Sequence, residues 1–202
     1  MAERGHVAVL VFAAVLLAIV SAGLGGCGGA GSSDPVVRGH LEQANAHLRK
    51  ASGYTRELVG FKQKWTALLN GQLTTEVLSQ LRALLVDARK SEEAALGEGK
   101  RAYDALSSIK ALNTNSTMKT YVDMKLKALS EQEKCLSAEI EAIDLRIKTV
   151  ESMAPGAPLD QMSIVREQQI VKLDKESEAQ AKRAVELNKK ANAYYEKTKM
   201  GK

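Results

Sequence analysis

The sequence predicts an all-α protein whose body is an antiparallel, up-down-up-down bundle of four long helices. Aromatic residues make up 4% of the 202 residues and 3 are proline, whereas Ala, Leu, Glu, Lys and Gln, which lose little on entering a helix, recur throughout. Apolar residues recur at steps of three and four over four long segments, and the short breaks between them make neighbouring helices antiparallel. A coiled coil of two extended helical hairpins would satisfy the same pattern.

Capping residues predict where the first two helices begin. Asp34 is a good N-cap and Pro35 a good first helical residue, and the second helix begins near Thr74 or Thr75. Gly97 and Gly99 predict a bend, a weak turn or close packing in the second helix. The predicted buried stripe of the first helix is Val37, Leu41, Ala44, Leu48, Ala51, Thr55, Leu58, Phe61, Trp65 and Leu68, and that of the second is Leu78, Leu81, Leu85, Ala88, Glu92, Ala95, Gly99, Ala102, Leu106 and Ile109.

The third and fourth helices follow breaks at residues 113–116 and 153–158. The third has the most regular stripe, in which Glu133 is the single charged member. The fourth runs from about residue 159 to about residue 200, and its second half is poorer in apolar residues. The predicted stripes are Val122, Leu126, Leu129, Glu133, Leu136, Ile140, Ile143, Ile147 and Val150 in the third helix, and Met162, Val165, Ile170, Leu173, Ser177, Gln180, Ala184, Leu187, Ala191 and Tyr194 in the fourth.

The amino-terminal segment differs in composition from the helical body. Residues 7–20 form an uncharged apolar run of 14 residues, preceded by Arg4 and the free amine. This is the length of the apolar region of a signal peptide, whereas a helix needs about 20 apolar residues to span a bilayer. Extension through Leu24 leaves an uncleaved anchor as an alternative.

The four residues Leu24-Gly25-Gly26-Cys27 resemble the lipobox of bacterial lipoprotein precursors, in which a Leu lies three residues before the Cys and small residues lie between them. The resemblance covers residues 1–29. It implies that Cys27 receives a diacylglyceryl group with acyl chains such as palmitate, and that the chain is cut before Cys27. A thiol is nucleophilic enough to take such a lipid. The alternative is an incidental Cys beside an ordinary cleavage site or a plain anchor.

The predicted organisation is a signal peptide at residues 1–26, a lipidated Cys with a Gly- and Ser-rich tether at 27–34, and a helical bundle domain at 35–202. Gly- and Ser-rich chains are flexible, so the bundle would move above the lipid headgroups. We therefore expect a lipid-anchored, extracytoplasmic protein of the cell membrane or outer membrane.

Residues that could carry catalysis or bind a metal are sparse. His40 and His47 lie seven residues apart, about 10 Å along a helix, which is too far for two ligands of one ion and predicts solvated side chains. Hydrolase, phosphate-loop and Cys-x-x-Cys motifs are absent from the sequence. Cys135 adjoins the predicted stripe, which favours a partly shielded thiol over an intermolecular disulfide. We expect no enzyme, no cofactor and no metal site.

The net charge of +5 is concentrated at the carboxyl end of the chain. The segment from Lys182 onward contains seven basic residues and two acidic ones. One interpretation is a solvated helix end whose cations match the helix dipole. The alternative hypothesis is that this basic segment contacts anionic lipid headgroups or a wall polymer. Nucleic acid is not an expected partner. An even number of antiparallel helices would bring this end back beside the lipid anchor. The candidate contact residues are Lys189, Lys190, Tyr194, Tyr195, Lys197, Lys199 and Lys202.

Two classes of function fit these features. The first is a non-catalytic, lipid-anchored bundle that acts as a spacer, a scaffold or a binding module for an envelope protein that the sequence does not identify. The second is an extracytoplasmic bundle that binds or senses a small ligand between its helices. A cavity at Gly97 to Gly99 would favour the second, and a filled core there would remove it.

Overall fold

The computed structural model describes residues 34–155 and 160–198, and it confirms an all-α four-helix bundle. The helices are α1 (Pro35–Leu69), α2 (Thr75–Ala111), α3 (Ser116–Ser152) and α4 (Gln161–Thr198). The described residues contain no strand.

Side-chain caps start each helix. Asp34 accepts a hydrogen bond from the Val36 amide at 2.9 Å, and Thr74 accepts one from Val77 at 3.2 Å, as the sequence predicts. Asn115 and Asp160 do the same for α3 and α4 at 2.7 Å and 2.6 Å. Each cap satisfies an amide that has no partner inside its helix, which fixes where the helix begins.

Most of the interhelical packing joins successive helices, α1 to α2, α2 to α3 and α3 to α4, whereas α1 and α4 contact each other little. A proximal core contains residues of all four helices, including Val37 of α1 and Tyr195 of α4. A distal core at the opposite end, around Trp65 and Ile143, is built by α1, α2 and α3 and their connections. The first half of α4 therefore lies outside the distal core.

The predicted stripes of α1 and α2 face the core, but that of α3 is partly wrong. Glu133 is a surface residue whose side chain is 45% exposed and lies 3.4 Å from Lys100, and Ile140 is only half-buried. Because α3 packs against both α2 and α4, its buried face is wider than one stripe. The polar members of that face include Gln132, Glu139 and Arg146.

The predicted stripe at the start of α4 is partly wrong. Met162 and Val165 are exposed and Ser163, outside the stripe, is buried, whereas Ile170 is buried as predicted. This half of α4 packs beside α3 through small and polar groups, as in the 3.1 Å hydrogen bond between the Ser152 and Ser163 hydroxyls. Apolar side chains on its outer faces consequently point to solvent.

Gly97 and Gly99 do not mark a close approach of two helices. Helix α2 is continuous through both positions, and a Cβ atom placed on either glycine would have no neighbouring heavy atom within 4 Å. Steric crowding therefore does not require glycine at either position.

Candidate functional site

The proximal end of the bundle brings the two ends of the helical body together. Val37, in the first turn of α1, and Tyr195, in the last turn of α4, belong to the same core. The end of α4 therefore lies at the end of the bundle where the chain enters α1. Cys27, the predicted lipidation site, lies outside the described residues, as do Lys199 and Lys202.

Three of the candidate contact lysines are in the described part of the chain and are exposed: Lys189, Lys190 and Lys197. Lys190 lies 2.6 Å from Glu186 on the same face of α4, an exposed pair that stabilises little. These side chains can reach an anion that approaches the proximal end.

Tyr195 is not the exposed contact residue that the sequence predicts. It is 4% exposed and its ring centroid lies 5.2 Å from that of Tyr121, inside the proximal core. Tyr194 is half-buried and packs against the same core. Tyr195 therefore holds α4 to α3 and is not available for contact with a membrane or polymer.

Lys125 also stabilises the contact between α3 and α4, and the sequence pattern did not identify it. It is 3% exposed, and its ammonium group donates to Asn188 at 2.7 Å and to Asn192 at 2.6 Å. The ammonium also lies 5.6 Å from the centroid of the Tyr121 ring. The spacing of the two asparagines, four residues apart on α4, was the only sequence signal for this contact.

A second group of polar side chains is buried halfway along the bundle. Glu92 of α2 is 2% exposed and Glu139 of α3 is 8% exposed, and their carboxyl groups interact directly. Glu139 accepts a hydrogen bond from the Ser177 hydroxyl of α4 at 3.0 Å. Sequence analysis placed Glu92 in the core stripe but missed Glu139, which lies outside the predicted stripe of α3. We call these two residues the central carboxyl pair.

Burial raises the pKa of both members of the central carboxyl pair. The pKa of Glu92 is well above its ordinary value because the side chain is desolvated and because it faces the charge of Glu139. Desolvation raises the pKa of Glu139 to about 7, against the lowering effect of hydrogen bonds from Glu92 and Ser177. Burial therefore favours the protonated form of both carboxyl groups.

Cys135 is more deeply buried than the sequence predicts. It is a free thiol with no exposed surface, packed against Ala181 and Ala184 of α4. Its Sγ lies 3.8 Å from a Glu139 carboxyl oxygen. Burial raises the pKa of the thiol, so Cys135 is an unreactive core residue while the helices are packed.

His47 is not the solvated side chain that the sequence predicts. Its Nδ1 lies 2.6 Å from a carboxyl oxygen of Glu98, and the two side chains are 28% and 8% exposed. The contact joins α1 to α2.

Within the described residues, no three His, Cys, Asp or Glu side chains are grouped so that they could hold a metal ion.

The groove beside Gly99 is too small for an organic ligand. It lies between α2 and α3, with Leu96, Tyr103 and Gln132 among its lining residues, and has about 10 Å³ of free volume. This is space for at most about one water molecule. The cavity that would favour ligand binding at Gly97 to Gly99 is therefore not found there.

Comparison of the chain with protein-family models, with curated proteins and with solved structures gave no match. None of the helices in the described part of the chain has an apolar stretch long enough to cross a membrane.

Proposed function

We propose that this chain is a lipid-anchored, non-catalytic protein of the bacterial cell envelope that acts as a spacer, a scaffold or a binding module for another envelope protein. The observation that carries the proposal is the lipobox-like sequence Leu24 to Cys27, which follows an apolar segment and precedes a Gly- and Ser-rich segment. The lipid on Cys27 holds the protein at an extracytoplasmic membrane surface, and the bundle extends from it.

A non-catalytic role is favoured by the places where the polar groups lie. The central carboxyl pair is buried, and the groove at Gly99 has room for no more than about one water molecule. A catalytic acid or base must come within hydrogen-bond distance of its substrate. The small volume of this groove also gives no support to the alternative of a ligand-binding bundle.

Membrane contact by the proximal end adds to the proposal. Lys189, Lys190 and Lys197 are exposed on the part of α4 that returns to the start of α1, where the tether joins the bundle. Each cation near an anionic surface contributes about 1 kcal/mol at most. The lipid supplies the stable attachment, and the lysines orient the bundle on anionic headgroups.

Metabolic labelling with a fatty acid tests the anchor. The full chain is expected to incorporate label and to lose its signal segment, whereas the Cys27→Ala chain incorporates none and accumulates as the larger precursor. Cys135→Ala is the matched control and retains label, because that thiol is buried in the bundle. Labelling and normal maturation of the Cys27→Ala chain would refute the proposal.

Vesicle binding tests the orientation. A chain that begins at Ser32 contains all four helices without the predicted lipid site. Replacing Lys189, Lys190 and Lys197 with Gln should weaken its binding to anionic vesicles at low salt and leave its binding to neutral vesicles unchanged. The control is three distal lysines replaced in the same way, Lys148, Lys172 and Lys175, which should bind as the unmodified chain does. Equal binding by both triple variants contradicts the orientation.

A further inference from the structure

Exposed apolar side chains are concentrated at the start of α4. Ile164 is 50% exposed and Val171 is 42% exposed, and the neighbouring Met162 and Val165 are exposed as well. The distal core contains no residue of α4, so these side chains are left on the outside of the bundle. Neighbouring apolar side chains at a protein surface commonly mark a site of contact with another molecule.

Two of these side chains lie on a face of α4 that has the spacing of a coiled-coil seam. Ser163, Ile170 and Ser177, seven residues apart, are buried, and they form the face of α4 that packs on α3. A second face repeats at alternating steps of three and four, as the contact positions of a coiled coil do. All of its members are exposed, and we call them the α4 seam: Gln161, Ile164, Gln168, Val171 and Lys175.

Opposite charges flank the α4 seam. Glu167 lies on one side of it and Lys172 on the other, five residues further along the helix. In two parallel helices that meet along such a seam, residues with this spacing on the two chains are neighbours and form interhelical ion pairs. Lys172 is free to make such a pair, since its side chain is 78% exposed and its nearest acidic partner, Glu176, is 3.9 Å away. The flanks of the seam are therefore complementary to those of a second copy.

The same charges select the relative direction of the two helices. Two-fold symmetry in a parallel pair places each Glu167 beside Lys172 of the other copy, which gives two ion pairs. An antiparallel pair would instead bring the two Glu167 side chains together and the two Lys172 side chains together, and like charges repel. Gln168 lies in the middle of the seam and would meet Gln168 of the second copy. A polar residue at such a position fixes the register of the two helices.

We propose that the α4 seam is a self-association surface, through which two copies of this chain pair in parallel. Lys175 ends the contact, because the same cation of the second copy would face it. The inference does not rest on the lipid anchor. Copies held in one membrane by their proximal ends, as proposed above, would already be parallel, and their effective concentration would be higher.

Disulfide crosslinking tests the contact. The parent is the full chain with Cys27→Ser, in detergent micelles that outnumber the chains, so that two chains seldom share a micelle by chance. Gln168→Cys places a thiol in the seam, and its matched control is Gln169→Cys, an exposed neighbour outside the seam. With copper–phenanthroline as oxidant, Gln168→Cys should crosslink two copies at least about tenfold faster than Gln169→Cys, because pairing raises the effective concentration of its thiol. The parent should not crosslink, since Cys135 is buried.

Charge reversal in the Gln168→Cys chain tests the direction of the helices. Lys172→Glu should slow the crosslinking, and so should Glu167→Lys, because each substitution places like charges together. Both substitutions in one chain should restore the rate, since the ion pairs form again with their signs exchanged. The control is Lys148→Glu, which reverses an exposed cation of α3 and should leave the rate unchanged. High salt should reduce the differences between these variants.

Three results would overturn the inference. The first is an equal crosslinking rate for Gln168→Cys and Gln169→Cys, and the second is a combined charge reversal that stays as slow as the single variants. The third is crosslinking of Gln168→Cys mainly to another protein in the solubilised envelope of the producing cells. If circular dichroism shows that Glu167→Lys does not fold, Glu167→Gln replaces it, and its combination with Lys172→Glu must be faster than Lys172→Glu alone.

Discussion

The ring of Tyr121, near the start of α3, lies 5.2 Å from the ring of Tyr195, near the end of α4, with the two planes inclined at 50°. This tilted contact is within the range that favours aromatic pairs. It fixes the end of α4 against the proximal core, close to where the chain enters α1. The two ends of the helical body are thus held near each other partly by a pair of tyrosines that lie far apart in the sequence.

Tyr195→Ala should destabilise the bundle by about 3 kcal/mol, because the substitution leaves a cavity in the proximal core and removes the contact with Tyr121. Urea denaturation followed by circular dichroism measures the change. Tyr194→Ala is the control and should cost clearly less, since Tyr194 is half-buried. Equal losses for the two variants would contradict the burial difference between these neighbours.

Asp174→Ala should destabilise the bundle by about 3 kcal/mol, since it leaves the 2% exposed Arg146 without the carboxylate that binds it. Removing one partner of a buried ion pair costs far more than removing one partner of an exposed pair. Glu151→Ala breaks the exposed pair with Arg82, whose side chains are 43% and 55% exposed, and should cost less than about 1 kcal/mol. Chemical denaturation of both variants compares the two costs directly.

Gly97→Ala should stabilise the bundle by up to about 1 kcal/mol, because Ala is the better helix former and its Cβ meets no atom within 4 Å. The thermal midpoint of unfolding should rise. The reverse substitution at a packed position, Ala95→Gly, should lower it, since Ala95 has no exposed surface. A fall in the midpoint for Gly97→Ala would indicate that this glycine has a role that its surroundings do not reveal.

Ile143→Asp should destabilise the bundle by several kcal/mol, of the order that an unpaired charge costs in a core, because Ile143 is 1% exposed in the distal core. Ile140→Asp should cost less, since Ile140 is half-buried. The sequence pattern treats both residues as members of one stripe. Comparison of the two variants by urea denaturation distinguishes the observed packing from that pattern.

Acidification should destabilise the bundle through Glu98. The contact with His47, together with the charge of Arg101, holds the pKa of Glu98 below its ordinary value. The resulting stabilisation is present above the pKa of an unfolded Glu, near 4.3, and is lost as the pH falls through the lower folded value. Glu98→Gln should therefore show a smaller loss of stability on acidification than the wild type.

The control for Glu98 is Glu93→Gln, which removes an exposed carboxyl of the same helix. Its acid denaturation profile, recorded by circular dichroism, should match that of the wild type. The central carboxyl pair acts in the opposite direction, because its stabilisation is complete below the unfolded pKa near 4.3 and is lost as the pH rises. The two contributions together place the greatest stability at about pH 4 to 5. A profile that rises steadily toward alkaline pH would contradict the assignment of the central carboxyl pair.

The sequence predicted the helices and their ends because those features depend on neighbouring residues. Asp34 and Thr74 cap the helices that follow them by hydrogen bonds that span two or three residues. The apolar stripes of α1 and α2 were also correct, although α2 additionally buries Ser91 and Glu98, which lie outside its predicted stripe. Local spacing is sufficient information for such elements.

The spacing of residues in the sequence could not predict which polar side chains are buried, because burial depends on which helices surround a residue. Glu133 fits the stripe of α3 better than Glu139 does, yet Glu139 is buried and Glu133 lies at the surface, since α3 packs on both α2 and α4. Likewise Tyr195 is buried because it packs in the proximal core, where its ring meets that of Tyr121 from another helix.

The sequence by itself determined four helices, their caps, an apolar amino-terminal segment and a basic carboxyl end, all of which are properties of contiguous residues. The tertiary structure decided which carboxyl groups are buried, that Glu92 faces Glu139, and that the end of α4 lies beside the start of α1. The physical reason is that burial and pKa are set by groups distant in the chain, whose positions relative to one another exist only after the helices pack.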